Sequence, residues 1–104
     1  MRIKKACELL SVELVTDIQP TVLRFYERQG LIKPIRHKNK YRDYAESDVI
    51  KLSLVIMLKE LGYSLAVADL VIRGDKDTVH MVKADLQKRK NQLNKYATLV
   101  LGRL

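Results

Sequence analysis

The sequence predicts a mainly α-helical fold that carries one short β-hairpin and ends in a long helix. Three observations support this prediction. Apolar and cationic residues alternate at helical spacing from Leu23 until Gly30, which can end a helix in the left-handed conformation. A second aromatic and cationic group follows at residues 41–44, after a basic segment. Apolar residues then recur every seven residues from Val79 to Val100.

The amino-terminal segment has the pattern of an amphipathic first helix. Its apolar residues are spaced by three and four positions: Ile3, Ala6, Cys7 and Leu10. Two interpretations of the segment that follows, from Val12 to Ile18, stay open. Either the first helix continues through Leu14 and Val15, or this segment contains an insertion.

A second helix is predicted after this segment. Asp17 or Gln19 is expected to cap it, and Pro20 suits its first turn because the missing N–H has no partner there in any case. Residues 36–40, the sequence Arg-His-Lys-Asn-Lys, follow as a basic tip that contains turn-prone residues and no hydrophobic anchor. A tip of this composition suits a phosphate backbone better than a protein core. The second helix and this tip therefore resemble a recognition helix and a wing.

The same residues resemble the DNA-binding domain of the MerR family of transcription regulators. That family has a segment close to T-L-R-Y-Y-E-x-x-G-L-I-x-P-x-R-x-x-N-G-Y-R-x-Y, and residues 22–44 read VLRFYERQGLIKPIRHKNKYRDY without a gap. The match continues at Asp48-Val49 and at residues 61–65, LGYSL, which are similar to the family's D-V and L-G-F-S-L. The resemblance covers roughly residues 3–72. It implies a winged helix-turn-helix followed by a helical pair and a C-terminal dimerisation helix that forms an antiparallel coiled coil.

The resemblance also implies the DNA-binding residues. Arg24 and Tyr26 match positions that hold phosphates, and Gln19 and Thr21 lie where side chains reach base edges in the major groove. The expected contacts of the wing with the DNA backbone or the adjacent minor groove come from Arg36, Lys38, Lys40, Tyr41 and Arg42. Tyr44 is expected in the core. Phe25 replaces the family's first tyrosine, a harmless loss of a hydroxyl if the ring is also in the core.

Three departures from the family pattern affect these expectations. Val22 stands where the family often has threonine, and a valine can contact a thymine methyl but cannot donate a hydrogen bond. Lys40 replaces the wing glycine, which adds charge and restricts the turn. The segment from Val12 to Ile18 is longer than the family's short turn, by about six residues if it is an insertion.

Three further helices are predicted. Helix 3, about residues 46–61, is apolar around most of its circumference and must be buried on more than one side. Gly62 ends it, Ser64 can cap a short fourth helix that ends near Gly74, and Asp75 and Asp77 begin the last helix with favourable charge. We therefore divide the chain into a DNA-binding domain with its helical extension, residues 1–74, and a dimerisation helix, residues 75–104.

The last helix carries an apolar stripe at heptad spacing. The predicted dimerisation residues are Val79, Val82, Leu86, Leu93, Tyr96 and Val100. Arg89 and Arg103 interrupt the stripe and are expected to help set its register. The alternative interpretation is that this helix folds back onto its own domain.

Composition agrees with a DNA-binding protein. The 20 Lys and Arg exceed the 12 Asp and Glu, which gives a net charge of +8 and favours a polyanionic partner. The single cysteine, Cys7, excludes an intrachain disulfide and fits a reducing compartment, so we expect a cytoplasmic, nucleoid-associated protein. His37 and His80 have no partners at metal-ligand spacing, and no catalytic motif occurs. We expect no metal, no other cofactor and no enzymatic activity.

The function predicted from the sequence is a homodimeric transcription regulator that binds a pseudo-palindromic promoter site in double-stranded DNA and distorts it. A promoter site would also place the protein beside RNA polymerase. Two alternatives stay open: an architectural or excisionase-like DNA-binding protein, and a coiled-coil adaptor for another protein. Family members that sense metals or drugs have cysteines or an effector domain beyond the coiled coil. This chain is thus either a minimal regulator or a fragment of a longer protein.

Overall fold

The computed structural model describes residues 1–14 and 16–104, which form five helices and one two-stranded sheet. The first helix, α1, is Ile3–Leu14, and the second, α2, is Pro20–Arg28. Helix 1 therefore does continue to Leu14, while Val15 lies outside the described residues. The Ser11 hydroxyl donates to the Cys7 carbonyl at 2.7 Å and accepts from the Ile18 amide at 2.9 Å. This side chain ties the segment before α2 back onto α1.

The wing is a minimal antiparallel hairpin. Strand β1, Ile35–Arg36, pairs with strand β2, Arg42–Asp43, so that Arg36 lies opposite Arg42. Beyond the strands, the His37 amide donates to the Tyr41 carbonyl at 3.2 Å, and the Lys40 amide donates to the His37 carbonyl at 2.8 Å. The basic tip, residues 36–40, is exposed throughout, as its composition predicted.

The remaining helices are α3, Glu46–Glu60, α4, Leu65–Ile72, and α5, Lys76–Arg103. The predicted cap of α4 by Ser64 is confirmed, and Asp75, which was predicted to begin the last helix with favourable charge, caps α5. The Ser64 hydroxyl accepts from the Val67 amide at 3.1 Å, and the Asp75 carboxylate accepts from the Thr78 amide at 3.1 Å. Hydrogen bonds from Thr78 hold the pKa of Asp75 below its ordinary value.

Helix α3 is the centre of the core, as its apolar circumference predicted. It packs against α1 on one side and α4 on the other. The largest side chains that are almost completely buried come from three helices and the segment after the wing: Leu10, Leu23, Tyr44, Leu52 and Val55. This core fixes α1, α2 and the base of the wing as one unit.

Gly30 ends α2 in the predicted manner. Its φ is +78°, in the left-handed region, and its amide donates to the Glu27 carbonyl at 3.0 Å. The Leu31 amide donates to the Tyr26 carbonyl at 3.1 Å, which completes a Schellman motif. The chain then reverses direction, and the buried Leu31 and Ile32 lead it into the wing. The predicted ends of α3 at Gly62 and of α4 at Gly74 are also confirmed.

Helix α5 gives the molecule its extended shape, with principal extents of 60 × 33 × 18 Å. Its first turns pack against α4, and Val82 belongs to the buried core. Residues 90–104 are exposed except for the half-buried Ala97. In the part of the chain that the structure describes, no helix combines the length and the apolar character that crossing a membrane requires.

Candidate nucleic-acid interface

One face of α2 is exposed to solvent and presents cations. The exposed residues recur at helical spacing: Thr21, Arg24, Phe25 and Arg28. The opposite face holds Leu23, which is fully buried, and Tyr26, which is 8% exposed. Because of this division, α2 presents two arginines in successive turns to solvent while its apolar side anchors it to α1. We call α2 the recognition helix from here on.

The exposed face includes residues that the sequence analysis did not select. Arg28 lies one turn beyond Arg24 on the same face, and the spacing of Thr21, Arg24 and Arg28 would have revealed it. The Phe25 ring is 40% exposed and packs edge-on against Tyr26, with 5.2 Å between ring centroids. Phe25 is therefore not a core residue, so the condition under which the loss of the hydroxyl would be harmless is not met.

Tyr26 lies on the side of the recognition helix that faces the core. Burial raises the pKa of its hydroxyl. Its contact with a phosphate stays a prediction, and that contact has to be made from a mostly buried ring.

The start of the recognition helix differs from the expected capping arrangement. Gln19 occupies the N-cap position, but its side chain makes no capping bond. Instead, its Nε2 donates to Oδ2 of Asp17 at 2.6 Å. Neither Asp17 nor Gln19 therefore caps α2 through its side chain, and that prediction is wrong. The backbone supplies the first turn, with the Val22 amide donating to the Gln19 carbonyl at 3.0 Å. The Gln19 amide group and Thr21 remain exposed at the leading end of the helix.

Glu27 connects the recognition helix to both strands of the wing. Its Oε2 accepts from Nε of Arg42 at 2.5 Å, and its Oε1 accepts from Nη2 of Arg36 at 3.2 Å. The Glu27 side chain is only 17% exposed and that of Arg42 26%, so the contact between them is partly shielded from water. Because Arg36 lies opposite Arg42 in the hairpin, one carboxylate holds both strands. We call these three residues the Glu27 clamp.

The clamp changes the roles available to its arginines. Arg42 directs its Nε at Glu27, so holding the wing in place is its principal contact in the structure. The Arg36 side chain is 51% exposed, and its pair with Glu27 leaves it at the surface. Lys38 and Lys40 are exposed, and neither forms an ion pair within the part of the chain that the structure describes.

Tyr41 is covered on both faces of its ring. The His37 ring stacks on it with 4.5 Å between centroids and 16° between planes, and the Arg2 guanidinium carbon lies 3.9 Å from its centroid. A stacking contact between this ring and a base would have to displace one of them. Arg2 is a second cation that the sequence analysis did not select, since only the fold brings it beside the wing.

Asp43 and Tyr44 complete the base of the wing. The Met1 amino group lies 2.5 Å from Oδ1 of Asp43, and Nε2 of His37 lies 3.1 Å from Oδ2. Hydrogen bonds from Met1 and His37 hold the pKa of Asp43 below its ordinary value. Tyr44 is 1% exposed, so its predicted core position is confirmed, and burial raises the pKa of its hydroxyl. That hydroxyl has no hydrogen-bond partner among the described residues.

Lys40 adopts the conformation that the family's wing glycine would favour. Its φ is +63°, the single positive φ of a non-glycine residue in the described chain. For an L-residue this conformation costs roughly 1–2 kcal/mol. Lysine at this position thus adds a cation to the tip at a conformational cost.

The predicted dimerisation residues fall into two groups. Val82 and Leu86 pack on the core of their own domain, and with Val79 they line a cavity beside Leu54, Leu58 and Val71. The other three are exposed in the single chain: Leu93 by 67%, Tyr96 by 59% and Val100 by 55%. The interpretation that α5 folds back onto its own domain thus describes its first turns. The second half of the stripe has no such contact with its own domain among the described residues.

The described residues contain no group of three His, Cys, Asp or Glu side chains that could hold a metal ion. Cys7 is buried on α1, and burial raises the pKa of its thiol.

Comparison with known proteins agrees with this geometry. The model of the MerR helix-turn-helix family of regulatory proteins matches residues 1–75. The chain belongs to the MerR family. Among its MerR-type relatives, the HTH-type transcriptional regulator HmrR of Rhizobium leguminosarum bv. viciae is 39% identical over 70 residues, which are 65% of this chain and 54% of that protein.

Two further relatives show the same coverage pattern. The HTH-type transcriptional regulator CueR of Escherichia coli O157:H7 is 33% identical over 55 residues, which are 52% of this chain and 41% of that protein. An uncharacterised HTH-type transcriptional regulator of Synechocystis sp. is 41% identical over 56 residues, again 52% and 41% of the two chains. The chain thus spans about half the length of the curated relatives it matches.

Proposed function

We propose that this MerR-family chain is a sequence-specific transcription regulator that binds double-stranded DNA as a homodimer. The observation that supports this most directly is the Glu27 clamp, because it holds the wing beside the exposed cationic face of the recognition helix. Arg24 and Arg28 on the helix and Lys38 and Lys40 on the tip then form one basic surface. A surface of this kind is the electrostatic footprint of a nucleic-acid-binding protein.

Within this surface we assign the residues to different tasks. Gln19 and Thr21, at the leading end of the recognition helix, read base edges in the major groove. Arg24, Arg28, Lys38 and Lys40 hold phosphates and fix the register of the protein on the duplex. Arg42 acts through Glu27 by positioning the wing. Arg36 contacts both Glu27 in the clamp and the DNA backbone.

The homodimer rests on the exposed half of the α5 stripe. Leu93, Tyr96 and Val100 share one face of a helix that extends away from its domain. Large apolar side chains at heptad spacing on such a helix are typical of a coiled-coil seam. Two identical DNA-binding domains related by two-fold symmetry match a pseudo-palindromic site. The site lies in a promoter and is distorted on binding, which places RNA polymerase next to the complex.

The decisive experiment measures the affinity of the protein for a labelled DNA duplex by fluorescence anisotropy over a range of salt concentrations. Four phosphate contacts per protomer give about eight per dimer, so the slope of log K against log salt should be roughly −7. A coiled-coil adaptor that does not bind DNA would show no saturable binding even at low salt. Either an absent signal or a slope near zero would overturn the proposed function.

A further inference from the structure

A cluster of three polar side chains lies where α5 leaves the domain. Tyr63, in the turn between α3 and α4, donates a hydrogen bond from its hydroxyl to Oδ2 of Asp85 on α5. One turn later, Nη1 of Arg89 lies 3.8 Å from the same carboxylate oxygen, and its guanidinium carbon lies 5.7 Å from the centroid of the Tyr63 ring. Each member therefore interacts with the other two, and we call them the junction cluster.

The junction cluster is at the end of the contact between α5 and the rest of the chain. Leu86 is the last residue of α5 that packs against the core. Beyond Arg89 the helix extends to Arg103 with no buried residue. The cluster thus lies at the point about which the free part of α5 would tilt.

The apolar contacts of α5 do not determine its direction by themselves. Burial of Val82 and Leu86 is favourable but non-directional, because the hydrophobic effect depends on the area removed from water. A hydrogen bond, in contrast, is directional: its donor–hydrogen–acceptor angle prefers values above about 150°, and the bond weakens steeply below about 120°. The bond between Tyr63 and Asp85 therefore adds an angular constraint that the apolar contacts lack.

The size of the effect can be derived from the length of the helix. Residues 90–103 extend about 21 Å at 1.5 Å per residue. A tilt of about 10° over that length moves the far end by roughly 4 Å, compared with 3.4 Å per base pair along DNA. A small change at the junction thus shifts the distance between two DNA-binding domains by about one base-pair step.

We propose that Tyr63, Asp85 and Arg89 are positioning residues that set the half-site spacing the dimer accepts. This inference rests on the proposed function as a homodimeric DNA-binding regulator. The family pattern L-G-F-S-L has phenylalanine where this chain has Tyr63, so the hydroxyl that makes the bond is a departure from that pattern. The cluster also gives Arg89 a task within its own chain, at a position of the stripe where an apolar residue was expected.

The test on DNA uses duplexes whose two half-sites are separated by spacings that differ by single base pairs. We expect the wild-type protein to prefer one spacing. Tyr63→Phe removes only the hydroxyl. The ratio of the affinity at the preferred spacing to the affinity at neighbouring spacings should fall about threefold or more, while affinity for an isolated half-site stays unchanged. Asp85→Ala should act in the same way, and Asp85→Asn should partly restore the preference because its amide oxygen still accepts the hydrogen bond.

Two variants serve as matched controls on the same duplexes. Lys88→Ala removes a cation next to Arg89 from the exposed part of α5 and should keep the wild-type preference for one half-site spacing. Arg89→Ala should weaken that preference. Tyr44→Phe removes a hydroxyl that has no hydrogen-bond partner among the described residues, and this variant should also keep the wild-type spacing preference. Identical spacing profiles for Tyr63→Phe and the wild type would overturn the proposal.

A second measurement does not depend on DNA. Spin labels at Ser47 and Thr98, in a Cys7→Ala background and diluted with unlabelled chains, report the distance between α3 and the free part of α5 within one chain. We expect a narrow distance distribution that broadens in Tyr63→Phe. An unchanged width would overturn the positioning role. If the wild-type protein bound no duplex, the proposed function and the spacing role would fail together, and this distance would still decide whether the cluster holds α5.

Discussion

Oε2 of Glu27 lies 2.5 Å from Nε of Arg42, and this contact joins the recognition helix to the second strand of the wing. The two residues are 15 positions apart in the sequence. Glu27 is an acid within a surface that otherwise carries positive charge, so its own charge opposes a phosphate. Its structural role is instead to bind Arg42 and also Arg36, whose Nη2 lies 3.2 Å from Oε1 of Glu27.

The clamp predicts an unusual result for Glu27→Gln. Removal of a negative charge should strengthen DNA binding if only net charge matters. If Glu27 positions the wing, affinity for the specific site should instead fall about tenfold, and the free energy of unfolding should fall by about 1–2 kcal/mol because two charge-assisted hydrogen bonds are weakened. Anisotropy titrations and urea unfolding measure the two quantities.

Glu60→Gln is the matched control for this experiment. It removes the same charge at the exposed end of α3, where Glu60 has no ion pair with any of the described residues. We expect it to leave stability and specific affinity close to the wild-type values. Tighter binding of the specific site by Glu27→Gln would contradict the clamp.

The second prediction separates phosphate contacts from positioning contacts. Arg24→Ala and Arg28→Ala should weaken binding to all sequences alike and reduce the magnitude of the salt slope by about one for each contact in a protomer, which is about two per dimer. Lys95→Ala, on the exposed far part of α5, should leave the slope unchanged. Equal slopes for all three variants and the wild type would mean that the exposed face of the recognition helix does not meet the phosphates.

The third prediction concerns the left-handed conformation of Lys40. Lys40→Gly and Lys40→Ala remove the same charge, but only glycine adopts a φ of +63° without a steric cost. The glycine variant should therefore be about 1 kcal/mol more stable than the alanine variant in urea unfolding. The two should bind DNA with equally reduced salt dependence. Equal stabilities would show that the tip does not hold this conformation in solution.

The fourth prediction concerns the exposed half of the α5 stripe. Leu93 is 67% exposed in the single chain, so Leu93→Glu should barely change the stability of an isolated protomer. In a dimer the same change buries a carboxylate against an apolar seam, which costs several kcal/mol. The dimer should dissociate at micromolar concentration in sedimentation, and affinity for a paired site should fall much further than for one half-site.

Asn91→Glu introduces the same charge on the opposite side of α5 and should keep the dimer intact. A Leu93→Glu protein that still sedimented as a dimer would place the interface elsewhere.

Local patterns in the sequence were sufficient to predict most of the fold. Helical spacing predicted the order of the helices, and Gly30, Gly62 and Gly74 predicted the ends of α2, α3 and α4, because those signals act within a few residues. Contacts across the fold were not accessible in the same way. No local pattern joins Glu27 to Arg42 or places Arg2 on the Tyr41 ring. The Asp17 and Gln19 caps failed for a different, local reason, since these two side chains, two positions apart, bond to each other instead of to the backbone.

The candidate interface shows the same division. Arg24 and Arg28 follow from helix periodicity once the buried face is known, whereas the sequence left the position of the Phe25 ring open and the structure exposes it. Tyr26, which the family match placed on a phosphate, faces the core. The pattern thus identified the right segments, but it could not distinguish cations that are free to meet DNA from those that hold the wing.

In the proposed complex, two copies of this recognition helix and wing bind one symmetric site. Selection of bound duplexes from a randomised library, with the wild-type protein, tests it most directly. We predict a motif of two inverted half-sites at one fixed spacing, as two-fold symmetry requires. Direct repeats of several cooperating sites would favour an excisionase-like architecture instead, and a library without any enriched motif would contradict sequence-specific binding altogether.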